Sequence, residues 1–165
     1  MKLLSSMVVA SILTIVAATV PAEAQAPSAP PPYGAPIGLE TAKKLATAAE
    51  AEAAKNNWNM AIVILDSTGH VVLLHKLDNT QYGSIAVAED KARTALDYKR
   101  PTKAFEDVVA QGGAGLRLLA LRGATPIEGG VPIMSDGKIV GAIGVSGGSA
   151  AQDGQVAKAG ADAAK

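Results

Sequence analysis

Apolar positions along the chain recur with two different periods, and the changes of period mark the elements. From Leu39 to Asn56, Leu39, Ala42, Leu45, Ala46, Ala49 and Ala53 fall at helical spacing. Glu40, Lys43, Lys44, Glu50 and Glu52 lie between them, so the segment reads as an amphipathic helix of strong helix formers. Asn59 to Asp66 and His70 to Leu77 are β-branched and apolar, joined by Ser67-Thr68-Gly69, which predicts a hairpin. In its second strand Val71, Leu73, His75 and Leu77 share one face, and His70, Val72, Leu74 and Lys76 the other. The only two histidines therefore project to opposite faces and do not converge on one metal. Helical spacing returns from about Ser84 to Tyr98, with Ile85, Ala88, Ala92, Ala95 and Leu96 on the buried side. Glu89, Arg93 and Asp97 form a charge ladder on the exposed side, and Lys91 and Thr94 share another strip of surface. Pro101 ends this helix, and Thr102 caps a short one through Ala110. Gln111 to Gly115 is a flexible connection, and Leu116 to Leu121 a helical turn or short strand.

A second hairpin fills Gly129 to Gly148. Asp136-Gly137 between apolar runs calls for a type I′ turn, because both residues tolerate positive φ. That turn places Ser135 opposite Lys138 and Pro132 opposite Gly141, and the proline marks a sheet edge or a break. On the second strand Ile139, Gly141, Ile143 and Val145 point one way. Val140, Ala142 and Gly144 point the other and offer a small face to a packing helix. Ser149 with Gln152 predicts a capping box on a last helix, Ala150 to Ala163, which Gly154 and Gly160 interrupt and make the least stable of the set. Helix, hairpin, helices, hairpin, helix is an α+β arrangement with an antiparallel sheet flanked by helices, in one domain over 38–165.

The N-terminus changes the address. Lys2, the apolar stretch from Leu3 to Val20 and Ala22-Glu23-Ala24 have the form of an export signal cut after Ala24. The mature product is then expected in the periplasm or outside the cell, with no stable membrane anchor. Residues 25–37, rich in proline and alanine, read as a disordered leader or as an arm that wraps a neighbouring subunit. Fifteen basic and fifteen acidic residues balance to zero, which argues against a nucleic-acid partner. The absence of cysteine excludes disulfides, thiolate metal sites and covalent haem attachment. One phenylalanine and one tryptophan leave the core to Val, Ile, Leu and Ala.

The Gly129–Gly148 run, Val63-Ile64-Leu65-Asp66 to Asp78, Ser84 to Thr94, Arg100-Pro101-Thr102, and Gln152-Asp153 to Gly160 together resemble the GlcG/HbpS family, also met as the C-terminal domain of PduO-type proteins. The resemblance implies a profilin-like fold, homo-oligomers and haem as ligand. Within that frame His75, on a largely apolar face near Asp78, is the candidate axial ligand to iron, since imidazole is a common haem donor. Lys91 and Arg93 are candidate partners of the propionates, and Thr94 offers a hydroxyl to a metal or ligand. Arg100 is a candidate carboxylate fork. The turn Val145 to Ser149, with Ser146 and Gly147, has backbone N–H groups able to hold a carboxylate. Against each stands a plain structural role: a hydrogen-bonded histidine, a solvated helix face, a tight glycine turn. The sequence contains no nucleophile elbow, no His-Glu-x-x-His helix and no phosphate loop. Two other functions stay open: an enzyme or accessory protein acting on small hydroxy- or keto-carboxylates, and a self-assembling structural protein.

Overall fold

A computed structural model describes residues 29–164; the export signal read over 1–24 lies outside the described residues. The elements run α1 (Leu39–Lys55), β1 (Ala61–Asp66), β2 (Val71–Lys76), α2 (Gly83–Asp97), α3 (Lys103–Ala110), a 3₁₀ helix (Gly113–Ala120), β3 (Gly130–Ser135), β4 (Lys138–Ser146) and α4 (Ala150–Asp162). The four strands form one antiparallel sheet in the order β2-β1-β4-β3, so β3, which carries Pro132, is an edge strand as the proline requires.

Helices cover both faces. Leu45, Ala46, Ala49 and Ala53 of α1 and Val156 and Ala157 of α4 pack on Ile62, Ile64, Ile143 and Val145. Ala88, Ala92, Ala95 and Leu96 of α2 pack on Ala61, Val63, Leu65 and Ala142 from the other side. The alanine stripe of α2 lies unusually close to the sheet because β4 presents Gly144 there. A Cβ at that position would stand 1.9 Å from the Ala88 carbonyl oxygen and 2.9 Å from the Ala92 Cβ.

The 135–138 hairpin forms as its sequence demands, with φ of 47° at Asp136 and 72° at Gly137 and Ser135 opposite Lys138. Beyond it the register shifts: Met134 pairs with Ile139 but Ile133 pairs with Gly141, so Val140 is the extra residue of a β-bulge. The bulge corrects two expectations. Pro132 stands opposite Ala142 rather than Gly141. Ile139 joins the α2 face and Val140 the α1 face, the reverse of simple alternation, while Ala142 and Gly144 keep their expected side.

Three further local readings change. Residues 32–37 do not belong to a disordered leader. They lie along β4 where β1 has ended: Ile139 N–H donates to the Pro32 carbonyl, Gly34 N–H to Ile139 and Ile37 N–H to Val140. Thr102 precedes α3 without capping it by its side chain; its hydroxyl accepts instead from Gly130 N–H at 2.9 Å, tying α3 to β3. Gly154 and Gly160 do not break α4, whose capping box forms as read, but mark its close contacts with Glu128 and with Ile143 and Ala49.

Candidate functional site

Around the β3 edge, the α2–α3 link and α4 stand apart far enough to leave a cavity of about 450 Å³. Its apolar floor is Val131, Pro132 and Met134, with Lys99 and Lys103 on one wall and Lys158 on the other. Each lysine is placed by its own element. Lys99 takes a left-handed backbone (φ 56°) at the end of α2, where Arg100 N–H closes on the Ala95 carbonyl and Lys99 N–H on Leu96. Its ammonium lies 4.2 Å from the centroid of the Tyr33 ring. Lys103 and Lys158 each pair with the acid one helical turn on, Asp107 and Asp162.

The back of the cavity is Glu128-Gly129-Gly130. Glu128 packs against Gly154 of α4, and its backbone N–H donates to the Glu106 carboxylate. Burial, with Glu106 and Asp107 nearby, pushes its carboxyl above the usual carboxylate range. Gly129 has φ of +129°, and a Cβ there would sit 2.9 Å from the Lys91 Nζ. Behind this glycine the Lys91 ammonium donates to Asp153 Oδ2 at 2.7 Å and to the Val145 carbonyl at 3.3 Å, with only 1% of its side chain exposed. Asp153 Oδ1 accepts from Gly148 N–H at 2.9 Å. Burial raises the Asp153 carboxyl, with the Lys91 hydrogen bond and the backbone N–H groups of Gly148 and Gly147 acting in the opposite direction. The N–H groups of the β4–α4 turn thus do hold a carboxylate, and it is the protein's own.

The residues singled out from sequence do not share one site. Lys91 and Gly147 come together through Asp153, while Ser146 is buried at the end of β4 opposite Ala61. Lys91 and Thr94 are buried rather than on a surface strip. The Thr94 hydroxyl donates to Asp90 and Gly123 carbonyls and accepts from Thr125 N–H, so it fastens a loop to α2. Arg93 pairs with Glu89 at 3.0 Å. Arg100 stands over the Phe105 ring at 5.6 Å and donates to the Tyr98 carbonyl, and it makes no carboxylate fork among the described residues. His75 lies at the far edge of the sheet from β3, with its Nδ1 on the carboxylate of Glu50 from α1 rather than on Asp78. His70 bonds Thr68 in its own turn. Among the described residues no group of three His, Cys, Asp or Glu side chains is gathered to hold a metal ion.

Sequence reasoning missed Lys99, Lys103, Lys158 and Met134 as cavity residues. They come from the α2–α3 link, α3, β3 and α4, and no spacing joins them.

The cavity and the buried pair sit in a chain with extensive relatives. The family model described as haem degrading protein HbpS-like matches residues 37–162. Protein GlcG of Escherichia coli strain K12 is 41% identical over 110 residues, which cover 67% of this chain and 81% of GlcG. The crystal structure of HbpS superposes with a TM-score of 0.71 at 32% identity, covering 78% of this chain and 90% of that one. The crystal structure of a PduOC:haem complex gives 0.69 at 28%, covering 78% and 94%. By the family match and by identity to GlcG, the chain belongs to the GlcG/HbpS family.

Proposed function

We propose that the protein binds haem, in the cavity beside β3. The observation that carries this is the combination of an apolar floor with three lysines on facing walls, the pattern suited to an amphipathic ligand whose anionic groups stay at the rim. The structure of a haem complex in a relative with the same fold supports the choice of ligand. Val131, Pro132 and Met134 would lie against the macrocycle, and Lys99, Lys103 and Lys158 would meet the propionates. The Met134 thioether is the soft donor in the lining, and haem iron accepts such a sulfur. Lys91, Thr94 and Arg100, engaged elsewhere, support the walls and do not touch the ligand. Bound haem would supply the visible spectrum and any redox chemistry; the chain's own part is to hold and orient it.

The test is a haem titration followed by Soret absorbance. Wild type should saturate, Lys99→Glu with Lys158→Glu should weaken binding at least tenfold, and His75→Ala should leave both affinity and band position unchanged. Absence of a saturable band removes the reading, and a band shifted by His75→Ala moves the site to the other sheet edge. Export belongs to the same proposal, with cleavage after Ala24 checked by N-terminal sequencing of the secreted product. So does a homo-oligomer, which is supported by Leu116, Leu119 and Ile127 standing exposed around the 3₁₀ helix.

A further inference from the structure

At the end of the sheet where β1 begins and β2 and β4 end, three loops surround a second hollow of about 370 Å³. Asn57, Trp58, Asn59, Asn79, Gln81 and Gln152 line it, and no charged side chain does. The loops are fixed by backbone bonds. Trp58 N–H closes on the Ala53 carbonyl at 3.0 Å and Asn57 N–H on Ala54, which places both residues just past the end of α1. Leu77 N–H donates to Met60 and Thr80 N–H to Leu77, which joins the other loop to the first. Asn57 and Asn79 hold left-handed backbones, with φ of 58° and 61°. The side-chain amides of Asn57, Asn59 and Asn79 stand exposed at this hollow and make no hydrogen bond among the described residues.

We infer that this hollow binds a neutral polyhydroxylated molecule, a small sugar or polyol, between these amides and Trp58. An amide both donates and accepts, and so does a hydroxyl; several of each in one hollow are matched in kind. The indole offers an apolar face for the C–H side of such a ligand. An anion is disfavoured, because no cation lines the hollow and two amides of the turn before α4 are engaged: Gly148 N–H by Asp153, Ser149 N–H by Gln152. A cation finds no carboxylate there. The site is distinct from the lysine-walled cavity and does not depend on the haem reading.

Trp58 is the only tryptophan, so its fluorescence reports on this hollow directly. The whole chain is titrated with glycerol, glucose and sucrose, and with acetate and adenosine as contrasts. At least one of the three neutral hydroxylated probes should give a saturable change in Trp58 emission matched by calorimetric heat. Asn59→Ala combined with Asn79→Gly should weaken it at least tenfold; glycine keeps the left-handed backbone of position 79, so the amide is lost without strain. The far-ultraviolet circular dichroism and melting temperature of the same variant should match wild type, which shows the fold intact. No saturation by any of the three, tighter binding of acetate or adenosine, or unchanged affinity in the folded double variant overturns the assignment.

Discussion

Lys91 shows how one residue's meaning is decided at long range. Its neighbours in sequence, Asp90 and Arg93, are ordinary helix-surface charges, and a stripe drawn through apolar residues alone leaves Lys91 outside. What buries it is Asp153, 62 positions later, together with the Val145 carbonyl. No local pattern carries that pairing, although the capping box that positions the first turn of α4, and so Asp153, is plain in the sequence. A buried pair contributes little net stability but is costly to split, because the partner's charge remains in a dry place. Lys91→Met should therefore cost about 3–5 kcal/mol in urea unfolding. Adding Asp153→Leu should restore a large part of that loss, as the stranded carboxylate goes. If the double variant is no more stable than Lys91→Met alone, the pair is held for a reason other than mutual charge.

Among the elements, the hairpins were the most legible, since Asp136-Gly137 names its own turn and the apolar runs name the strands. The bulge at Val140 was not, because Ile139 and Val140 are alike in hydrophobicity and either can face either helix layer. The small face of β4 was readable in its consequence: Gly144 lets α2 approach until the Ala88 carbonyl occupies the space of a side chain. Intrinsic propensity alone would favour alanine over glycine in a strand interior. Packing decides the other way. Gly144→Ala should destabilise by roughly 1–3 kcal/mol, the usual cost of overpacking, because helix backbone rather than a flexible side-chain tip is in the way. Denaturant midpoints measure it, and an unchanged or raised midpoint would mean that α2 rides freely over the sheet. The candidate cavity, by contrast, was illegible at this scale. Lys99, Lys103 and Lys158 look like three unrelated surface lysines until the α2–α3 link and α4 are set on either side of β3.

At the scale of the whole molecule, the stretch 32–37 ahead of α1 is part of the fold. Its proline content suggested an extended chain, and extended it is, but proline disfavours helix without preventing a strand-like edge contact. From Pro32 onward it takes the place that β1 vacates beside β4, and it adds two side-chain ties: the Tyr33 hydroxyl donates to the Leu96 carbonyl at 2.9 Å, and the Ser67 hydroxyl to the Gly34 carbonyl at 2.9 Å. Tyr33 thereby touches the end of α2, beside the lysine that walls the cavity. A chain that begins at Gly38 loses all of these bonds and uncovers the edge of β4 at Ile139 and Val140. Each bond is worth about 0.5–1.5 kcal/mol net, so truncation should cost several kcal/mol and leave an edge open to pairing between molecules. Tyr33→Phe separates the contributions, since it keeps the ring under Lys99 and removes only the hydroxyl bond; its expected loss is about 1 kcal/mol. A chain begun at Gln25 keeps every tie and should unfold at the higher temperature, whereas equal melting of the two chains would show that the segment lies on the domain without holding it.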